Sequence, residues 1–237
     1  MDSIINDIEF NLKKGTKGKI RIRFFSSFCD GEVCKTNYET KFESHLLDYY
    51  GPDKKLYITN EDDYTHAVIL NIAMPVLKPT IPKENVIGLA YEPIYYLGIT
   101  DDFVEYAKRN IGRYFIGDKK KLPSPFFEGY AYMWHTVPLN YSPNKNKVMS
   151  IMVSEKGVAP GHKYRYKLVN AILRTNLPID IYGRGCANFQ KNARKRDRRL
   201  KGEFNDKELY EDYLFHICIE NFKCNEYFSE KILNPLI

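Results

Sequence analysis

Short apolar runs recur along this chain, and the shelter they need most narrows the folds open to it. Residues 19–25 (KIRIRFF), 56–59 (LYIT), 67–70 (AVIL) and 86–90 (VIGLA) are such runs, and turn residues bound them. The first alternates like a strand with one protected face. The others are continuous, which suits parallel strands covered on both faces. Between them, residues 38–50 have apolar positions at helical spacing, with Gly51-Pro52 as the stop. Residues 101–111 predict a second helix, with Thr100 as N-cap and Gly112 just beyond it. Strands alternating with helices predict an open α/β sheet.

A polar segment, residues 140–147 (NYSPNKNK), interrupts this order and reads as a linker, after which the same grammar restarts. Residues 148–153 (VMSIMV), 179–182 (IDIY, ending at Gly183) and 215–219 (FHICI) predict strands. Residues 162–173 predict a helix, and Ser229-Glu230-Lys231 the start of another. The expected organisation is two α/β domains, residues 1–143 and 144–237, with no internal repeat.

Composition removes several alternatives. At 43% hydrophobic and 28% charged, the 237 residues have the balance of a globular protein and not of a disordered one. The net charge of +6 is local: residues 1–146 hold 19 Lys+Arg against 19 Asp+Glu, and residues 147–237 hold 17 against 11. The stretch from Lys191 to Lys201 (KNARKRDRRLK) alone carries seven basic residues against Asp197. It has no aromatic residue to stack a base, so a solvated loop is preferred to a nucleic-acid site. No apolar run reaches the about 18–20 residues of a membrane span, and the first residues lack the order of a secretory signal. Five cysteines, odd in number and without C-x-x-C spacing, suggest neither a disulfide framework nor a zinc site. His66, His135 and His216 stand apart from other metal ligands, so no metal is expected. The expected location is cytoplasmic.

Ligands of open α/β sheets sit beyond the carboxyl ends of strands. Two loops of the second domain answer to that rule. Residues 154–165 (SEKGVAPGHKYR) lead from a strand into a helix carrying His162, Lys163 and Arg165 early, the pattern of an anion site or of a solvated basic turn. Residues 219–231 (IENFKCNEYFSEK) lead from a strand through Glu220-Asn221 and Tyr227 to Ser229, which can cap a helix opened by Glu230 and Lys231. Those residues suit hydroxyl, base and phosphate contacts, or an ordinary capped helix.

The stretch 213–232 (YLFHICIENFKCNEYFSEKI) resembles, without a gap, the donor signature of the α-1,3-fucosyltransferases, glycosyltransferase family ten. GHKYRYKLVNAI and LPIDIYGRG resemble the same family's Arg-bearing helix and strand end. GLAYEP and YAYMWHTVP are more loosely similar to segments of its first half. The resemblance implies a GT-B-like architecture, two Rossmann-like domains with donor and acceptor in the cleft between them. It also implies inverting transfer of fucose from GDP-fucose to a hydroxyl of a glycan acceptor, with no metal required for the leaving group. It places Arg165 and Lys231 on the diphosphate, Glu230 on the sugar-nucleotide hydroxyls, and Asn221 and Tyr227 on other donor contacts. Glu92, between the VIGLA run and Pro93, falls on the general base. The family continues past the Glu-Lys helix into a further strand and helices, so the donor domain is expected to be incomplete at residues 234–237. Two readings compete with this one: a GT-B transferase of another nucleotide sugar, and a non-catalytic anion- or nucleic-acid-binding protein using Lys191 to Lys201.

Overall fold

The computed structural model describes residues 20–44, 56–131, 139–190 and 197–236. The chain divides into two units, Met1–Ala131 and Tyr132–Ile237. Each is a mixed α/β unit built on its own parallel sheet.

In the first unit the elements run β1 (Ile20–Ser26), α1 (Gly31–Ser44), β2 (Leu56–Ile58), β3 (His66–Leu70) and β4 (Val86–Leu89), then α2 (Ile94–Leu97), α3 (Asp101–Asn110), β5 (Arg113–Ile116) and β6 (Phe126–Glu128). The sheet order is β2-β1-β3-β4-β5-β6, every pair parallel. Ile69, Val86, Phe103, Ala107, Ile111, Tyr114 and Phe126 form its buried core. Gly88 is required there, because a Cβ would lie 2.0 Å from Cδ2 of Tyr114, whose ring fills that space. Thr100 caps α3 by accepting from the Phe103 amide (3.2 Å), with Asp101 and Asp102 at its positive end and Lys108 and Arg109 at its negative end.

The second unit runs β7 (Lys147–Met152), α4 (Pro160–Leu173), β8 (Ile179–Tyr182), α5 (Cys186–Gln190), β9 (Leu200–Gly202), α6 (Asp206–Tyr210), β10 (Tyr213–Ile217) and α7 (Glu230–Leu233). Its order is β10-β7-β8-β9, again all parallel. Ile151, Val153, Val169, Ile172, Ile181 and Leu200 are its buried centre. The unit's first strand, β7, lies inside the sheet, so the connections leaving β7 and β10 diverge from neighbouring carboxyl ends. That is a topological switch point, where open α/β sheets hold ligands. In the first unit, β1 and β3 make the corresponding pair.

Several expectations shift. The helix expected over residues 38–50 begins at Gly31, because Asp30 caps it by accepting from the Val33 amide (2.9 Å); residues 45–50 lie outside the described residues. The strand expected over 215–219 is Tyr213–Ile217, and β5, β6 and β9 are additional strands. The domain boundary expected at 143/144 compares with a division after Ala131. Residues just before β7 are tied to the second unit: the Tyr141 hydroxyl donates to Glu211 (2.7 Å), Lys145 Nζ to the Tyr210 carbonyl (2.8 Å), and the Asn146 amide to the Asp212 carbonyl (3.0 Å).

Candidate functional site at the second unit's switch point

The loops leaving β7 and β10 meet at Gly161, the second residue of α4. A Cβ on Gly161 would lie 1.9 Å from the Glu220 carbonyl oxygen and 2.8 Å from the Asn221 Cα. Only hydrogen in that position lets the helix start press against the loop, and the Gly161 amide then donates to the Asn221 carbonyl (2.9 Å). One turn further along α4, Arg165 projects the same way and is 3% exposed. Its guanidinium donates to the Ile219 carbonyl through Nη1 and to Asn221 Oδ1 through Nη2 (2.6 Å). Its Nε is buried without a hydrogen-bond partner.

Downstream, Glu220 organises the return into α7. Its carboxylate accepts from the Ser229 amide (2.7 Å) and from the Ser229 hydroxyl (3.0 and 2.9 Å), and Ser229 is buried. Ser229 Oγ in turn accepts from the Lys231 amide (3.4 Å) as the cap of α7, and from Lys231 Nζ (3.2 Å). Lys231 Nζ also lies 2.5 Å from Glu230 Oε1. The loop is therefore a chain of polar contacts running from Arg165 through Asn221, Glu220 and Ser229 to Lys231 and Glu230.

The electrostatics follow from that clustering. Burial lowers the Arg165 pKa, against the opposing pull of Glu220 and Glu230. His162 is likewise held below its ordinary value, first by burial and then by Arg165, Lys156 and Lys231. Its Nδ1 accepts from the Ala159 amide (3.2 Å) at the start of α4, a bond only the neutral ring can make. Burial pushes Glu230 up, but the charge and hydrogen bond of Lys231 and the bond with Ser229 outweigh it, and the net shift is downward. The site thus holds the carboxylates of Glu220 and Glu230, the side chains of Arg165 and Lys231, and a neutral His162 ring. Such a set accepts from hydroxyls and donates to an anion.

The structure brings Arg165 and Asn221 into contact and sets Lys231 against Glu230. Tyr227 is half-buried in the turn leading to Ser229. Glu92 belongs to the first unit, half-buried, three residues past β4 and directly before Pro93, the N-cap of α2. Its amide and that of Tyr91 donate to Asn71 Oδ1 (3.3 and 2.9 Å). Asn71 is 1% exposed and left-handed at φ 54°, and its carbonyl accepts from the Tyr114 hydroxyl (2.6 Å). Among the described residues, no group of three or more His, Cys, Asp or Glu is placed to hold a metal ion, and no helix is long and apolar enough to cross a membrane.

Asn71, Gly161 and the structural part of Glu220 escape a reading of the sequence. The one available signal was Asn71 closing an apolar run, since Asn tolerates left-handed backbone at strand ends. The basic stretch is partly structural. Arg199 pairs with Asp197 (2.8 Å) and donates to the Ile172 (3.0 Å), Leu173 (3.2 Å) and Leu177 (3.1 Å) carbonyls, securing the carboxyl end of α4. Lys201 is exposed but lies in β9, 3.3 Å from Asp180, so it is a strand cation and not a loop one; residues 191–196 lie outside the described residues.

Comparison with known proteins converges on the same half of the chain. The model of the glycosyltransferase family 10 (fucosyltransferase) C-terminal domain matches residues 142–237. Glycoprotein 3-alpha-L-fucosyltransferase A of Drosophila melanogaster is 33% identical over 94 residues, 39% of this chain and 16% of that relative. The chain thus spans a minor part of the curated relative it matches. No solved structure matches it. The residues that the family model matches fall in the second unit and include both of its switch-point loops.

Proposed function

We propose that this protein is an inverting fucosyltransferase that moves fucose from GDP-fucose to a hydroxyl of a glycan acceptor, within a two-domain GT-B arrangement. The observation that carries the reading is the Arg165–Asn221 contact at the switch point, with a buried donor left over on Arg165. It lies in a segment matching family 10.

In this reading the diphosphate lies at the start of α4 and the mouth of α7. Arg165 has committed both terminal nitrogens to the loop, so it sets the loop's position and lends the phosphate its charge. Lys231 is the more available cation: it exchanges part of its contact with Glu230 for a phosphate oxygen. Glu230, ionised, accepts from donor hydroxyls, and Asn221 and Tyr227 complete the loop against the nucleotide sugar. As the acceptor oxygen attacks the anomeric carbon, Glu92 takes its proton and negative charge gathers on the departing diphosphate. Arg165 and Lys231 stabilise that charge from fixed positions, which is worth more than the same charges in water. The reading uses no metal.

The test is fucosyl transfer from GDP-fucose to a panel of N-acetylglucosamine- and galactose-ended acceptors, following GDP release. The reading expects transfer with inversion, and Glu92→Gln that still binds donor but transfers ~100-fold more slowly, the low end of a general base's contribution. Transfer from a UDP-sugar in preference to GDP-fucose would assign another nucleotide sugar. No transfer from either, with no donor binding, would sink the reading.

A further inference from the structure

Two cysteines stand apart from the donor loop and meet each other. Cys29 follows β1, and Cys34 lies in the first turn of α1. Their sulfur atoms are 2.7 Å apart. The contact is fixed by the start of α1: Asp30 Oδ1 accepts from the Val33 amide (2.9 Å), and the Asp30 carbonyl from the Cys34 amide (3.1 Å). Cys34 is 1% exposed, whereas Cys29 is half-buried and lines a cavity of about 510 Å³. That cavity opens at the first unit's switch point, between the end of β1 and the Ile72–Pro75 segment. One thiol is reachable from solvent, and its partner is held directly behind it.

We propose that Cys29 and Cys34 are a modification site, an oxidisable dithiol that closes to an intramolecular disulfide by exchange with a low-molecular-weight disulfide such as oxidised glutathione. The Cys29 thiolate enters first: its sulfur bonds to one sulfur of the reagent, whose S–S bond breaks and releases one small thiolate. Cys34 then loses its proton to solvent and attacks the Cys29 sulfur, expelling the second small thiolate. Two protein thiols and one small disulfide become one protein disulfide and two small thiols, so electrons balance without another oxidant. The order of attack follows the burial. Desolvation, then the hydrogen bond and charge of Cys29, push the Cys34 thiol up to about 12, so Cys34 starts as a thiol. Once Cys29 is in a mixed disulfide its charge is gone, and the resolving attack becomes easier.

Two of the other three cysteines give internal controls. Cys186 is buried in the second unit and Cys218 is exposed there. An exposed thiol without a neighbour stops at the mixed disulfide. A pre-placed pair passes through it, because the second thiol acts at high effective concentration.

The experiment uses the whole reduced chain in glutathione redox buffers, followed by acid quench, alkylation, trypsin and mass spectrometry. Cleavage after Arg23 and Lys35 gives a peptide, residues 24–35, that carries both cysteines and no others. The expected product is that peptide lighter by two hydrogens and protected from alkylation, while Cys218 carries glutathione or remains alkylatable. Cys34→Ser should trap a lasting glutathione adduct on Cys29. Repeating the titration in urea should lower the oxidation equilibrium about tenfold or more, about 30 mV for a two-electron couple, because the fold pre-places the pair. A persistent Cys29 adduct in the native wild-type chain would overturn the proposal. So would pairing of Cys29 with a different cysteine, or an equilibrium unchanged by unfolding.

Discussion

Gly161→Ala is the sharpest perturbation of the switch-point site. The new Cβ would stand 1.9 Å from the Glu220 carbonyl oxygen and 2.8 Å from the Asn221 Cα. Ordinary C···O contacts begin near ~3.3 Å, so the helix start and the loop must separate by about 1.4 Å. Both contacting groups are backbone, and no rotamer change relieves them. The separation breaks the Gly161 amide bond to the Asn221 carbonyl (2.9 Å) and draws Asn221 Oδ1 away from Arg165 (2.6 Å). Overpacking of this kind costs ~1–3 kcal/mol and the lost amide bond ~1 kcal/mol, together ~2–4 kcal/mol. For a unit of this size that corresponds to a fall of ~10 °C or more in the second unit's melting temperature. Gly157→Ala is the matched control, since a Cβ there meets nothing within 4 Å. It should be neutral, or stabilise by up to about 1 kcal/mol through the unfolded chain. Near-UV circular dichroism reads the melting, and GDP calorimetry at low temperature reads the site. A Gly161→Ala protein that melts within about 2 °C of wild type and binds GDP equally would refute the close approach as the lock of this loop.

Other expectations follow from single residues. Asn71→Gly keeps the left-handed backbone but removes the acceptor for the Tyr91 and Glu92 amides. Their hydrogen exchange should accelerate about tenfold or less, as expected for bonds worth ~1 kcal/mol, while amides of β5 keep their protection; unchanged exchange would show that Asn71 does not hold the Glu92 segment. His216 is lowered by burial to about 4. Ser150 Oγ donates to the Leu209 carbonyl (2.7 Å), so it accepts from His216 Nδ1–H (2.7 Å), and the ring is neutral. The unfolded chain therefore takes up this proton first, and the stability it contributes, present above pH 6.5, is lost as pH falls toward 4. The total is up to ~3 kcal/mol. Urea midpoints between pH 7 and 4.5 should fall less for His216→Asn than for wild type; parallel curves would contradict the assignment. Arg199→Met should destabilise by ~2–4 kcal/mol through the orphaned α4 carbonyls, read by denaturant titration, and a change under about 0.5 kcal/mol would return Arg199 to the solvated surface.

What the sequence made legible depended on whether the signal was local. Thr100 before an acidic first turn, the IDIY run before Gly183, and the continuous VIGLA run all act within a few residues, and helix α3 and strands β8 and β4 lie where they predict. The start of α1 was misplaced because GEVCK has no apolar periodicity and the helix is begun by the Asp30 cap instead. Strand β9 is three residues long and closes a basic stretch, so its period could not register; Leu200, fully enclosed between β8 and the core, decides it. At the site, spacing marked Arg165, Asn221, Glu230 and Lys231. It did not reveal that Asn221 accepts from Arg165 across 56 residues, because that contact exists only if β10 lies beside β7. Strand order is a property of the whole sheet. The same limit hid Gly161 and the Cys29–Cys34 contact, each made by backbone geometry that no residue pattern announces, and left Asn71 with only its place at the end of an apolar run.

The central claim is that Arg165 and Lys231, at the meeting of α4 and α7, bind the diphosphate of a guanosine nucleotide sugar. Titration calorimetry of the whole chain with GDP-fucose, GDP and UDP addresses it most directly, repeated with Lys231→Ala and Arg165→Ala. The account predicts binding of GDP-fucose and GDP, at least tenfold weaker binding of UDP, and a loss of about tenfold or more on removing Lys231, one charge-assisted contact. Equal affinity for GDP and UDP, or GDP binding untouched by Lys231→Ala in a folded protein, would contradict it.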